Sequence, residues 1–270
     1  TLALVTTGSL SSSGAVTVNA GTFDISGING PLTSIGELAT LSGSTVALGN
    51  KSLLFGTNIN TTIAGIISGS NGSIVKQGTG TATFSGASTF GGGATINAGT
   101  LALTGTGSFL ATGAVTLNGS SVFDISGVTT TTGVTIGDLA TSLGSNIVLG
   151  ANRLNFGNGG VNNTAILGSI TGTGSIAKLG SATVAISNSN NFSGGAFLNS
   201  GHLIINSNKA LGTGTFTTSD STGFTLADGV VLSNPINFHS GNTDIFVSGS
   251  NNEATMTGPA VGGGGSCSKS

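Results

Sequence analysis

Chemistry in a folded chain needs titratable or metal-ligating side chains brought together, and this chain supplies few of them. It has six Lys and Arg, eight Asp and Glu, two His and one Cys in 270 residues. The carboxylates divide into two groups. Asp24 and Asp124 recur in matching Phe-Asp-Ile-Ser-Gly segments, and Glu37 and Asp138 in matching Ile-Gly-acid-Leu-Ala-Thr segments. Asp24 and Asp124 alternate with Phe and Ile, so they are expected to face solvent or to bond a turn. Asp220, Asp228, Asp244 and Glu253 occur only in the last part of the chain. Paired carboxylates, sometimes with calcium, can serve polysaccharide cleavage. These four are spread out with Lys209 as their only basic neighbour, and surface positions are expected for them.

The other candidates are equally sparse. His202 and His239 could share a metal, but no third ligand is recognisable, so structural or surface roles are expected. No Gly-x-Ser-x-Gly elbow with an acid and a His in order is present. The Gly91-Gly92-Gly93 run lacks the Asp of calcium-binding repeats and the Lys of a phosphate loop, and it reads as a corner. Lys76, Lys178 and Lys269 share one repeat position. A basic ladder could bind anionic glycans, but copies so far apart make a weak patch, and solubilising turn residues are expected. No residue is assigned a catalytic, cofactor-binding or metal-ligating role, and no cofactor is expected.

What must position these residues is a repeat. Thr1-Leu2-Ala3-Leu4 returns as Thr100-Leu101-Ala102-Leu103, and Ser73-Ile74-Val75-Lys76 as Ser175-Ile176-Ala177-Lys178. The period is about 100 residues and drifts by single residues, as when turns tolerate insertions between segments that keep register. Units of 1–99, 100–201 and a shorter 202–265 follow, with 266–270 beginning a further copy, all within one continuous core over 1–270.

Composition narrows the class. Charged residues are 5% of the chain against about 25% in ordinary soluble proteins. Glycine contributes 49 residues without the three-residue period of collagen. Apolar runs such as Val230-Val231-Leu232 fall far short of the ~18 residues of a spanning helix. No charged region followed by an apolar stretch opens the chain, so a signal peptide is not expected there. The scattered bases exclude nucleic acid as a partner, and 37% hydrophobic content in alternating patterns argues against disorder. A single cysteine, Cys267, allows no internal disulfide.

Strand signals dominate and helix signals are nearly missing. Val16-Thr17-Val18, Leu53-Leu54-Phe55, Thr81-Ala82-Thr83-Phe84, Val184-Ala185-Ile186 and Ile236-Asn237-Phe238 are short runs bounded by Gly, Asn or Ser. Alternation puts aliphatics on one face and Thr, Ser, Asp or Asn on the other. Short strands, recurring corners and few hairpin dipeptides favour an all-β parallel β-helix over a sandwich. With roughly 20 residues per coil and ~4.8 Å between strands, it would be a rod about 60 Å long.

The segment from Ser73 to Leu101 resembles the passenger-associated transport repeat of bacterial autotransporters. That family repeats a Lys-x-Gly-x-Gly start, a Leu-x-Leu strand, an aromatic-x-Gly-Gly turn and an Asn-x-Gly-x-Leu exit. The second copy, Ser175 to Leu203, keeps Lys178, Gly180, Phe192, Gly194, Gly195, Asn199, Gly201 and Leu203, while Ser181 and Ala182 depart from the rhythm. The resemblance implies a right-handed β-helix exported by type V secretion from a Gram-negative-type bacterium to the cell surface or beyond. Gly265-Ser266-Cys267-Ser268-Lys269 falls on the same motif, which would put Cys267 in the inward slot of Ile74 and Ile176. Neither end shows a cap, so a slice of a longer array is expected.

The expected function is non-enzymatic: a rigid stalk or adhesin engaging a host-cell or surface receptor or glycan. A toxin-type passenger that oligomerises on host membranes, or a self-assembling extracellular fibre, is the alternative; an enzyme on polysaccharide ranks third. Contact with the bacterial membrane is expected only through a barrel domain outside this segment.

Overall fold

The structure is a computed structural model that describes residues 1–160, 162–239, 243–249 and 253–262, with the backbone of Ser266 and Cys267. It divides into two compact units, Thr1–Gly137 and Asp138–Ser270. The division falls inside the second sequence repeat. Among the described residues there is no helix; each unit is a parallel β-solenoid built from strands of two to seven residues.

In the first unit the chain visits three sheets in turn. Thr45–Ala47, Ser52–Phe55 and Thr61–Ile63 make one turn; Ile66–Gly69, Ser73–Lys76 and Thr81–Phe84 lie beside them in the next. Ser73 pairs with Ser52, Ile74 with Leu53 and Lys76 with Phe55, all parallel and in register. The same register continues from Ile74 to Ala94 and from Ala94 to Val115. Period-two alternation therefore becomes columns: Leu53, Ile74, Ala94 and Val115 point inward together, and each is at least 97% buried. Fully buried Phe23, Phe55, Phe84, Phe90 and Phe123 fill the space between sheets.

The second unit repeats this logic. Arg153–Phe156, Ser175–Lys178, Ala196–Leu198, Phe216–Thr218 and Ile236–Phe238 stack in one sheet. Thr164–Ile166, Thr183–Ile186, His202–Ile205, Thr222–Ala227 and Thr243–Ser248 stack in another. The strands anticipated above all form, Val16–Val18 among them, which pairs with Leu38–Thr40.

The sequence repeat and the turn are not commensurate. Leu2–Thr6 pairs with Thr22–Ile28, with a bulge between Ala3 and Val5. Its sequence copy, Thr100–Gly105 with Val122–Val128, has the same bulge between Ala102 and Thr104. The first pair belongs to the sheet of Thr45–Ala47, the second to the sheet of Thr61–Ile63. A repeat therefore spans a non-integral number of turns, and its copy lands on a different face. The Gly91–Gly93 run is a corner, as expected, with Gly93 at φ 88°, where a side chain would be strained.

Candidate functional site

The alternation that buries Ile74 also buries Lys76. Ser73–Lys76 reads outward, inward, outward, inward, and Lys76 is only 1% exposed; Lys178, in Ser175–Lys178, is 2% exposed. The expectation that these lysines are solubilising turn residues is overturned. Each stem runs inward with its strand, and its ammonium ends at the corner that follows. Lys76 Nζ donates to the carbonyls of Gln77, Gly78 (2.9 Å) and Ala98 (3.3 Å). Lys178 Nζ donates to Leu179 (2.7 Å), Gly180 (2.7 Å) and Ser200 (3.1 Å). Two acceptors come from the lysine's own corner and the third from the next turn. An ammonium has three donors, so each cage is complete.

A glycine makes each cage possible. A Cβ on Gly56, which has φ 108°, would lie 2.5 Å from the Gln77 oxygen and 3.0 Å from Lys76 Cδ. Gly157 holds the equivalent place, and a Cβ there would lie 2.6 Å from the Leu179 oxygen.

A carboxylate two turns earlier acts on each lysine through its charge. Glu37 is buried and accepts from both the backbone N–H (2.9 Å) and the hydroxyl of Thr57. Asp138 is half-buried and accepts from Asn162 Nδ2 at 2.8 Å. Burial lowers the Lys76 pKa, and the charge of Glu37 opposes the shift. Burial takes Lys178 down to about 8 against the opposing charge of Asp138. Sequence reasoning missed both cages and the charge near each. The signal for burial was present, since Lys76 is in phase with Ile74, but a charge two turns away leaves no local pattern.

The remaining candidates stay apart. Asp24 and Asp124 are half-buried and accept the N–H of Ser26 and Ser126, each at 2.8 Å, the expected turn bond. His202 Nε2 lies 2.8 Å from Thr225 Oγ1, and its ring is tilted against Phe246 with centroids 5.7 Å apart. Its pKa is lowered by burial, with Lys178 adding to the shift and Asp244 opposing it. His239 turns elsewhere, to Asp220 at 3.7 Å, with both side chains more than half exposed. Asp228 accepts the backbone N–H of Glu253 at 2.9 Å rather than meeting its carboxylate. Asp220, Asp244 and Glu253 are exposed. Among the described residues no group of three or more His, Cys, Asp or Glu could hold a metal. The side chain of Cys267 and all of Lys269 lie outside the described residues, and with them the reading of a third copy.

The caged lysines lie at the start of the two segments that a family model matches. The family model described as passenger-associated-transport-repeat matches residues 74–103 and 176–205. Both matched segments are stacked turns of a β-solenoid. Two such repeats on a β-solenoid are similar to what an autotransporter passenger domain carries. No curated protein and no solved structure matches it. In both transport repeats the motif lysine is the caged one, the Gly after the next residue presents a cage carbonyl, and the motif Phe, Phe90 or Phe192, is fully buried. The residues that define the passenger repeat are thus spent on corners and core.

Proposed function

We propose that this segment is a non-enzymatic part of an extracellular or surface-exposed passenger, acting as a rigid scaffold that holds or presents an adhesive surface. One observation carries the reading. The buried lysines of the two transport repeats have their hydrogen bonds filled by backbone carbonyls, and among the described residues no three His, Cys, Asp or Glu come together as a metal site would need. Such a chain invests its polar groups in stacking turns, which suits reach and surface more than turnover. The two repeat matches support the route outside the cell.

The test uses the purified segment coupled to beads and offered to host cells and to glycan-coated surfaces. Saturable attachment supports an adhesive surface within the segment. Absence of attachment, with attachment of the parent lost when the segment is shortened by whole turns, supports a spacer. Release of oligosaccharide from polysaccharide, or leakage of dye from lipid vesicles, would sink the proposal in favour of an enzyme or a membrane-active passenger.

A further inference from the structure

Lys76 and Lys178 each interrupt an inward column. In the first unit the column reads Phe55, Lys76, Ile96, Leu117. In the second it reads Phe156, Lys178, Leu198, Thr218. Turns on such columns are close to interchangeable. Each is about 20 residues of small polar and aliphatic side chains, and a slip by one whole turn keeps the inward face inward. Aliphatic packing alone therefore separates the correct stacking from a slipped one only weakly.

The lysine does separate them. Its turn must follow one whose corner residue is glycine, because a Cβ on Gly56 or Gly157 would collide with a cage carbonyl. The corresponding corners of the later turns in these columns carry Gln77, Asn97 and Asn118, or Leu179, Asn199 and Ser219, while the turn before Gly56 carries Gly36, so the corner excludes slips onto later turns. Its third acceptor must come from the following turn, at Ala98 or Ser200. Its counter-charge comes from two turns earlier, at Glu37 or Asp138. A stack slipped onto one of those later turns sets a clashing corner beside a buried ammonium, which is far more costly than a mismatched methyl group.

We propose that the lysine of each transport repeat is a register-setting residue, whose caged ammonium selects one stacking of otherwise similar turns. Such a group trades stability for uniqueness, as a single buried polar residue does in a coiled coil. The inference does not depend on whether the segment is a stalk or an adhesin.

The full chain carrying Lys76→Met and Lys178→Met tests it. After unfolding in urea and dilution, hydrogen exchange is mapped turn by turn, alongside the thermal midpoint. The expected result is a midpoint equal to or above the parent's, at least a twofold lower yield of the native protection pattern, and new patterns around residues 56–98 and 157–200. Refolding to one native pattern at the parent's yield would overturn the proposal. If the Met variant fails to fold, Lys76→Ala is refolded with n-propylammonium or, separately, with 1-propanol. Recovery of the native pattern with the amine alone supports a caged cation that sets register; no response, or an equal response to the alcohol, overturns it.

Discussion

Lys178 shows how a buried cation can be complete in its hydrogen bonds and still cost stability. Its folded pKa of about 8 lies below the ordinary value of 10.5, so the folded chain releases this proton first as pH rises. Between those two values the unfolded chain holds more protons, and stability rises with pH. Below pH 8 the ammonium is charged in both states and the burial cost is present in full. Urea midpoints taken from pH 7.5 to 10.5 should therefore rise in the parent relative to Lys178→Met, which shares every other titrating group. Parallel curves would show that the cage leaves the lysine unperturbed. Phe109 makes a second residue-scale case, from apolar packing. It meets Phe90 at 5.1 Å, Phe84 edge-on at 5.4 Å and Phe123 at 6.2 Å between ring centroids, and it is 6% exposed. Phe109→Ala should cost about 3–5 kcal/mol in a urea titration, the usual loss for a buried ring with aromatic neighbours. A cost under ~1 kcal/mol would mean that the surrounding turns collapse into the space.

Strands this short leave much of the stacking to the corners, where side chains take over the ladder. Asn190, 2% exposed, accepts the Ile170 N–H at 2.8 Å from the turn before and donates to the Ala210 carbonyl at 2.7 Å in the turn after. At the matching corner of the first unit the Ser88 hydroxyl accepts the Ile67 N–H at 3.1 Å. Thr40 and Thr141 do the same at another corner, accepting from Gly65 and Gly168, each at 2.8 Å. Asn190→Leu should strand one buried N–H and one buried carbonyl, a loss of about 3 kcal/mol. Faster hydrogen exchange should be confined to the turns containing Ile170 and Ala210. Unchanged exchange there would show that water replaces the side chain. The alternating runs made these strands legible in advance, but the corner bonds were not. They join residues 20 to 27 positions apart, in a composition where Ser, Thr and Asn occur everywhere.

At the scale of the whole molecule nearly every interaction links a turn to its immediate neighbours, so cooperativity should be local. The chain has no Trp or Tyr, which makes introduced Trp reporters unambiguous. Thr62→Trp and Thr217→Trp, on outward positions of the two units, should report urea transitions with different midpoints. Superimposed curves would mean that the turns unfold as one block. The sequence by itself determined the all-β solenoid, its inward columns, its corners and its two transport-repeat motifs. Those follow from period-two alternation, glycine spacing and a motif contained in about 30 consecutive residues, all of which are local. Only the tertiary structure decided that the repeat is out of phase with the turn, that the charges of Glu37 and Asp138 act on lysines two turns later, and that those lysines are caged rather than solvated. The reason is geometric. What a polar group meets depends on which turns stack beside it, and that neighbour set is fixed by the residues per turn, a quantity that a period of about 100 residues does not reveal.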